Sequence, residues 1–174
     1  MRFFKFRLIL VFLIIIFLFC SCSSLPKGGQ AFDSELGKTM SIGDSRDKIE
    51  ELYGAGEEDR IFDGVIDYAD GQLGIRYQND IVDEIIVFNT SRFSFPQYGR
   101  SSTVLDLQTH FDYYDFGDGM KWYYLHMTTA GDVLGMDEAR DAFQKGETVY
   151  CLRATVVNDS IQRITLSYAK FKDE

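Results

Sequence analysis

The sequence has few of the residues that build metal centres and redox sites. It contains three cysteines and two histidines in 174 residues, which leaves little material for a metal cluster. It is also short of positive charge, with 18 lysines and arginines against 27 aspartates and glutamates. Because nucleic-acid binding needs a basic surface that displaces counterions from phosphates, the net charge of −9 argues against a nucleic-acid partner.

The common catalytic motifs are missing as well. The sequence contains no G-x-S-x-G, P-loop, H-E-x-x-H or C-x-x-C pattern. Two groups of aspartates carry oxygen ligands that suit Ca²⁺, namely Asp63, Asp67 and Asp70, and Asp112, Asp115 and Asp118. The order of residues in an EF-hand and its distal glutamate are absent, and aspartate beside glycine is an ordinary turn residue. We therefore predict no metal site, no cofactor and no enzymatic activity.

The first 22 residues have the pattern of a bacterial lipoprotein signal. Three basic residues precede a 13-residue apolar run, Leu8 to Cys20, which is shorter than the roughly 20 residues of a membrane-spanning helix. Ser21 stands directly before Cys22, as a small residue does before the acylated cysteine of a lipobox. The pattern predicts a signal peptide over residues 1–21 and lipidation of Cys22. The alternatives are a plain secretory signal or a retained membrane anchor.

Acylation of Cys22 predicts a membrane-anchored lipoprotein of the cell envelope, on the outer membrane or periplasmic face or at the cell surface. Each buried methylene of an acyl chain contributes about 0.8 kcal/mol to membrane binding. Removal of residues 1–21 takes away three basic residues and no acidic one, which changes the net charge from −9 to −12. Anionic headgroups repel such a chain, so we expect attachment through the acyl chains.

Cys151 is then the one cysteine of the mature chain that carries no lipid. It lies in the β-rich run VYCLRATVV, and a lone cysteine is commonly buried as a small hydrophobe. A catalytic thiol needs an electropositive setting and a base, and nothing in the sequence connects His110 or His126 to Cys151. We predict that Cys151 packs in the core.

The remaining chain predicts a tether followed by a helix and three strands. Residues 22–39 mix Ser, Gly and polar residues, which is typical of a lipidated cysteine on a flexible linker, so the globular domain is expected over 40–174. A helix follows, capped by Asp44 or Ser45, with Ile49, Leu52 and Tyr53 on one face and Gly54 or Gly56 at its end. Three β-type runs at 60–68, 72–77 and 81–89 follow, separated by Ala69-Asp70-Gly71 and Gln78-Asn79-Asp80.

A second, looser copy of this unit is predicted over residues 99–171, the first being 40–89. Its helix places Val104, Leu107 and Phe111 on one side after a cap at Ser101 or Ser102, and its strands are expected at 121–127, 148–157 and 160–171. A further helix at 135–146, with Ala139, Ala142 and Phe143 inward and Gly146 at its end, fills a 23-residue insertion. In an alternative parse this helix is the counterpart of residues 45–53. The fold class is α+β, with short helices packed on an antiparallel β-meander and two tandem helix-plus-three-strand units.

The strings IGDSRDKIEELYG and NDIVDEIIVF resemble the SmpA/OmlA (BamE-like) lipoproteins and the related β-lactamase-inhibitor-protein-like fold. In that family a Gly-x-[Ser/Thr] turn caps a helix that ends in Leu/Tyr-Gly, and a small antiparallel meander follows. The matching positions are Ile42, Gly43, Ser45, Ile49, Leu52, Tyr53, Gly54, Tyr77, Ile85 and Val87. The resemblance covers about residues 40–89 and implies the fold and an envelope location. The proline that often follows the helix glycine is absent, and the acidic chain departs from the anionic-lipid contact of BamE, so the outer-membrane assembly role is not carried over.

The aromatic run YYDFGDGMKWYY is the most distinctive local feature of the sequence. Aromatic side chains are enriched in the residues that dominate interface energetics, which predicts a partner-binding face. Its candidate residues are Tyr113, Tyr114, Phe116, Trp122 and Tyr124. The alternative is a strand that lines the core, because aromatics also favour strands. Alternation places Trp122 and Tyr124 on one face, with Tyr123 and Leu125 on the other.

Together these patterns predict a non-enzymatic interaction or assembly module that binds an envelope protein partner. An alternative of another class is an envelope carrier for a small ligand or lipid, with a pocket between sheet and helices. A third hypothesis is an enzyme that uses Cys151 or His126. A closed, packed core would count against the carrier, and a large hollow apolar cavity would count against the interaction module.

Overall fold

The chain is an α+β protein built on a long antiparallel sheet, as predicted. The computed structural model describes residues 27–88, 90–96, 98 and 102–171. The helices within these ranges are α1 (Arg46–Tyr53), α2 (Val104–His110) and α3 (Met136–Gln144). The strands are β1 (Gln30–Asp33), β2 (Lys38–Ser41), β3 (Glu57–Glu58), β4 (Val65–Tyr68), β5 (Leu73–Gln78), β6 (Ile81–Val87), β7 (Phe93–Ser94), β8 (Asp112–Gly117), β9 (Met120–Met127), β10 (Val133–Leu134), β11 (Tyr150–Val157) and β12 (Ser160–Tyr168).

The main sheet has the strand order β10-β9-β11-β12-β6-β5-β4-β3, and β8 pairs with the same outer edge of β9 that β10 extends. A second, small sheet has the order β2-β1-β7. The meander β4-β5-β6 and the strands β9, β11 and β12 meet where β6 pairs with β12. The two parts of the chain that the sequence relates as repeats therefore lie side by side in one sheet.

The helix and meander of the first unit form where the sequence predicts them. The side chain of Ser45 caps α1 by accepting a hydrogen bond from the Lys48 amide, and Gly54, whose φ is 80°, caps its C-terminal end. The first predicted strand is shorter than expected because residues 60–64 form a turn. There the Asp59 carboxylate accepts hydrogen bonds from the amides of Ile61 and Phe62, which competes with strand pairing.

The second unit differs from its prediction in two details. The N-cap of α2 is Thr103, which exchanges hydrogen bonds with Asp106 in a capping box, so the prediction of a cap at Ser101 or Ser102 is wrong. The sequence predicts no strand before the one at 121–127, but β8 forms a hairpin with β9 across a turn at residues 118–119. The helix α3 ends one residue before Lys145, and Gly146 has a φ of 80°, as predicted for its stop.

The N-terminal part of the described chain is folded. We expected a flexible tether up to residue 39 and a globular domain that starts near Met40, and for residues 27–39 this is wrong. Ala31 and Asp33 of β1 are completely buried, because β1 pairs with both β2 and β7. The predicted signal peptide and Cys22 lie outside the described residues, and no described helix is long and apolar enough to cross a membrane.

The main core lies on one face of the sheet. Ile49 of α1 and Leu107 of α2 pack there, together with Met40 of the small sheet. The helix α3 packs on the opposite face, where Ala139 contacts a separate cluster that includes Cys151. Since α1 and α2 cover the same face, their positions favour α2 over α3 as the counterpart of α1.

Candidate functional site

The second face of the sheet, which we call the outer face, is covered by α3 at one end only. It carries alternate residues of the central strands, which adjacent strands place side by side. Its centre is polar, and both Thr155 and Thr165 are buried there. The outer-face residues are Gly74 and Arg76 of β5, Glu84 and Ile86 of β6, Trp122, Tyr124 and His126 of β9, Cys151, Arg153 and Thr155 of β11, and Arg163, Thr165 and Ser167 of β12.

Four of the five predicted partner-binding residues form a continuous series of rings on the outer face. The rings of Tyr114 and Phe116 lie 4.6 Å apart, those of Phe116 and Trp122 4.5 Å, and those of Trp122 and Tyr124 6.3 Å. We call these four residues the aromatic ladder. Tyr114 is 58% exposed and Phe116 is 42% exposed, so the ladder presents apolar area to solvent.

The fifth predicted residue, Tyr113, lies on the other side of the hairpin. Strand alternation turns Tyr113 toward Tyr123, and their ring centroids are 5.7 Å apart. Tyr123 is 1% exposed while Tyr113 is 63% exposed. The alternative interpretation, a strand that lines the core, therefore describes Tyr123 and Leu125 but not β8, whose six residues are all exposed.

Three arginines share the outer face with the aromatic ladder. Arg76, Arg153 and Arg163, which we call the arginine cluster, come from three strands of the outer face. Glu84 pairs with two of them, at 2.7 Å from Arg76 Nη1 and 3.8 Å from Arg153 Nη2. Burial lowers the pKa of Arg163, and the positive charge of Arg153 lowers it further. The cluster thus carries more positive charge than its own carboxylate neutralises.

Two of these guanidinium groups are stacked on aromatic rings. The Cζ atom of Arg153 lies 5.0 Å from the centre of the Trp122 ring, and that of Arg163 lies 4.7 Å from the Phe62 ring. Phe62 belongs to the turn at 60–64 and stacks on Phe88. Stacking of this kind holds a guanidinium plane in a defined orientation.

A polar cleft of about 330 Å³ borders the arginine cluster. Tyr124 of the aromatic ladder and Arg153 both line it, so the two surface features meet there. Within the cleft Lys170 Nζ lies 3.6 Å from the Asp83 carboxylate. The other residues that line it are Arg76, Glu84, Cys151, Thr165, Ser167 and Tyr168.

Cys151 and His126 are brought opposite each other by the pairing of β11 with β9. Burial raises the pKa of the Cys151 thiol to about 11, against the influence of Arg153. Burial also lowers the pKa of His126, whose ring stacks on Phe171 at 5.4 Å. A nucleophilic thiol needs a lowered pKa, so the environment of this pair disfavours the thiolate that catalysis requires.

The aspartates considered as calcium ligands do not converge on a site. In the ranges that the structure describes, no group of three or more His, Cys, Asp and Glu side chains is placed to hold a metal ion. Asp59 and Asp67 do face each other, and burial together with the charge of Asp59 raises the pKa of Asp67.

Sequence reasoning missed the arginine cluster. Each arginine interrupts an apolar run at an outward position of its strand, as in GIRY, CLRAT and IQRIT, and this alternation was the available signal. The neighbours of each strand could not be derived from the sequence.

Comparisons with protein-family models, with curated proteins and with solved structures find no match to this chain.

Proposed function

We propose that the protein is a lipoprotein of the bacterial cell envelope that binds a partner protein through the aromatic ladder. The observation that carries the binding role is the exposure of Tyr114 and Phe116, whose rings continue through the half-buried Trp122 to Tyr124. Exposed contiguous aromatic area on a rigid strand pair is typical of interaction surfaces.

The envelope location rests on the sequence. The basic residues, the short apolar run and Ser21-Cys22 support a lipoprotein signal, and the resemblance to BamE-like lipoproteins over residues 40–89 supports the same location. Membrane attachment then comes from acyl chains on Cys22, and the non-enzymatic folded domain extends from that anchor.

The packing of the core favours an interaction module over a ligand carrier. A carrier needs an apolar cavity between its sheet and its helices. The side chains that meet there, including Ile49, Leu73, Ile75 and Leu107, are completely buried and pack in one cluster.

The binding role can be tested by photo-crosslinking in intact cells. Benzoylphenylalanine placed at Tyr114 is expected to give a discrete adduct with one partner protein. Tyr113 is the matched control, because it lies in the same strand with similar exposure but on the opposite side of the hairpin. An adduct at 113 with none at 114 would contradict the proposed surface.

Lipidation can be tested by labelling with a palmitate analogue. The Cys22→Ser variant is expected to lose the label, and the Cys20→Ser variant is expected to retain it, since only Cys22 follows a small residue. Unchanged incorporation in Cys22→Ser would show that the assignment is wrong.

A further inference from the structure

The arginine cluster is unusual in a chain with a net charge of −9. Three guanidinium groups share the outer face, and Glu84 is the carboxylate that contacts two of them. Burial lowers the pKa of Arg163, the charges of Arg153 and Arg76 lower it further, and Glu84 offsets only part of this effect. Like charges held together in a fold destabilise it unless an anion is present to offset them.

The geometry of Arg153 and Arg163 suits one shared ligand. Thr155 is directly opposite Arg163 in the strand pair, and Arg153 is two residues before Thr155 on the same face. Diagonal neighbours of this kind are about 7–8 Å apart, a distance that two long arginine side chains can close around a small group. The Trp122 and Phe62 rings support the two guanidinium groups, so little side-chain freedom is lost on binding.

The same three residues hold buried polar atoms without a partner. The Nε atoms of Arg153 and Arg163 and the Oγ1 atom of Thr155 are buried, and no described residue forms a hydrogen bond with them. An unsatisfied buried donor lowers the stability of the fold, and a bound water or ion is one explanation for such a group in a native protein. All three atoms can donate, which is what an oxyanion accepts.

We propose that Arg153, Arg163 and Thr155 form a binding site for an oxyanion, a carboxylate or phosphate group carried by the partner of the outer face. Arginine donates paired, charge-assisted hydrogen bonds to both kinds of group. The inference rests on the proposed function for the source of the anion. The site itself can be tested without any partner.

Binding of an anion at the site can be followed by tryptophan fluorescence. Trp122 is the only tryptophan, and its ring contacts Arg153. In the full-length lipoprotein in non-ionic detergent, we expect titration with phosphate or with glutarate to change Trp122 fluorescence in a saturable way. Sodium chloride holds the ionic strength constant throughout, so that general screening makes no contribution.

Two variants test whether the anion binds at this site or elsewhere on the surface. Arg163→Gln is expected to weaken the apparent affinity at least about tenfold, because it removes charge-assisted hydrogen bonds. Arg140→Gln, at an exposed position of α3, is expected to leave the titration unchanged. If Arg163→Gln fails to fold, the Nε–Hε resonances of the unmodified protein serve instead. Those of Arg153 and Arg163 should shift with the ligand, and that of Arg140 should not.

Saturation by phosphate alone would identify the bound oxyanion as a phosphate group. Saturation by glutarate alone would identify it as a carboxylate. Either outcome supports the site. No response to either ligand, or an equal response from Arg163→Gln, would overturn it. Crosslinking at residue 114 does not depend on these titrations. A failed oxyanion site with successful crosslinking, or the reverse, therefore tells the two proposals apart.

Discussion

The carboxylate of Asp33 is completely buried and pairs with the guanidinium of Arg92, 59 residues later in the chain, at 2.8 Å. Arg92 Nε also donates to both carboxylate oxygens at 3.1 Å. The Asp33 carboxylate also accepts hydrogen bonds from the Tyr53 hydroxyl and from the amides of Glu35 and Leu36. This network joins β1, the turn before β7 and the end of α1.

Breaking the Asp33–Arg92 pair should destabilise the fold strongly. Arg92→Met leaves a buried carboxylate without its cation, which typically costs about 3–5 kcal/mol. Urea unfolding followed by circular dichroism measures the loss. The control is Lys48→Met, which breaks the partly exposed pair with Asp44 and should cost at most about 1 kcal/mol. Equal effects of the two variants would show that the buried pair has no special role.

The same carboxylate predicts a loss of stability in acid. Burial raises the pKa of Asp33, but the hydrogen bonds from Arg92, Leu36, Glu35 and Tyr53 outweigh it and hold the pKa below its usual value. As the pH falls, Asp33 is protonated at a higher pH in the unfolded chain than in the folded protein. The stabilisation that the ionised carboxylate gives to the fold is therefore complete above about pH 3.9 and is lost as the pH falls through the folded-state pKa.

Asp33→Asn should therefore remove part of the acid dependence. Urea midpoints measured from pH 5 down to pH 2.5 should fall less steeply for this variant than for the unmodified protein. Asp47→Asn, at an exposed position of α1, provides the control. An unchanged slope in Asp33→Asn would contradict the assignment.

Cys151 should react slowly with alkylating reagents in the folded protein. With a pKa of about 11, its thiolate fraction at neutral pH is at least about 100-fold smaller than that of an ordinary cysteine. Peptide mapping after iodoacetamide treatment, with and without guanidinium chloride, measures the protection. Rapid native labelling that His126→Phe slows would instead support the hypothesis of an enzyme with a thiol and an imidazole.

Gly28 tests whether the N-terminal segment belongs to the fold. A Cβ atom at this buried position would overlap the carbonyl oxygen of Thr128, so Gly28→Ala should cost about 1–3 kcal/mol of unfolding free energy. Gly135→Ala is the control, because its Cβ would meet only the Glu138 carboxylate at 3.7 Å. A neutral Gly28→Ala would indicate that residues 27–29 behave as the tether that the sequence suggests.

The correct predictions concern features that a few neighbouring residues decide. Asn79-Asp80 and Asn158-Asp159 all adopt positive φ angles between 49° and 58°, because Asn and Asp tolerate this conformation better than most residues. The Ser45 cap and the alternation of Trp122 with Tyr123 are likewise local. Hydrogen bonding within one turn and a two-residue period are visible in any short window of sequence.

The failed predictions concern short segments whose own residues carry little strand pattern, so that pairing with other strands defines them. β1 follows two glycines and mixes two polar with two apolar residues, and it forms because it pairs with β2 on one edge and with β7, about 60 residues away, on the other. β8 is exposed throughout, so no apolar alternation marks it, and its pairing with β9 alone defines it.

The sequence by itself determined the α+β class, the cap of α1, the meander turns and the division of Trp122 and Tyr124 from Tyr123 and Leu125 between two faces of one strand. Only the tertiary structure decided that Trp122, Thr155 and Arg163 lie in one row and that Asp33 meets Arg92. The face of the sheet to which a side chain points follows from alternation along one strand. The register between strands follows from packing the whole sheet against its helices, which involves residues far apart in the chain.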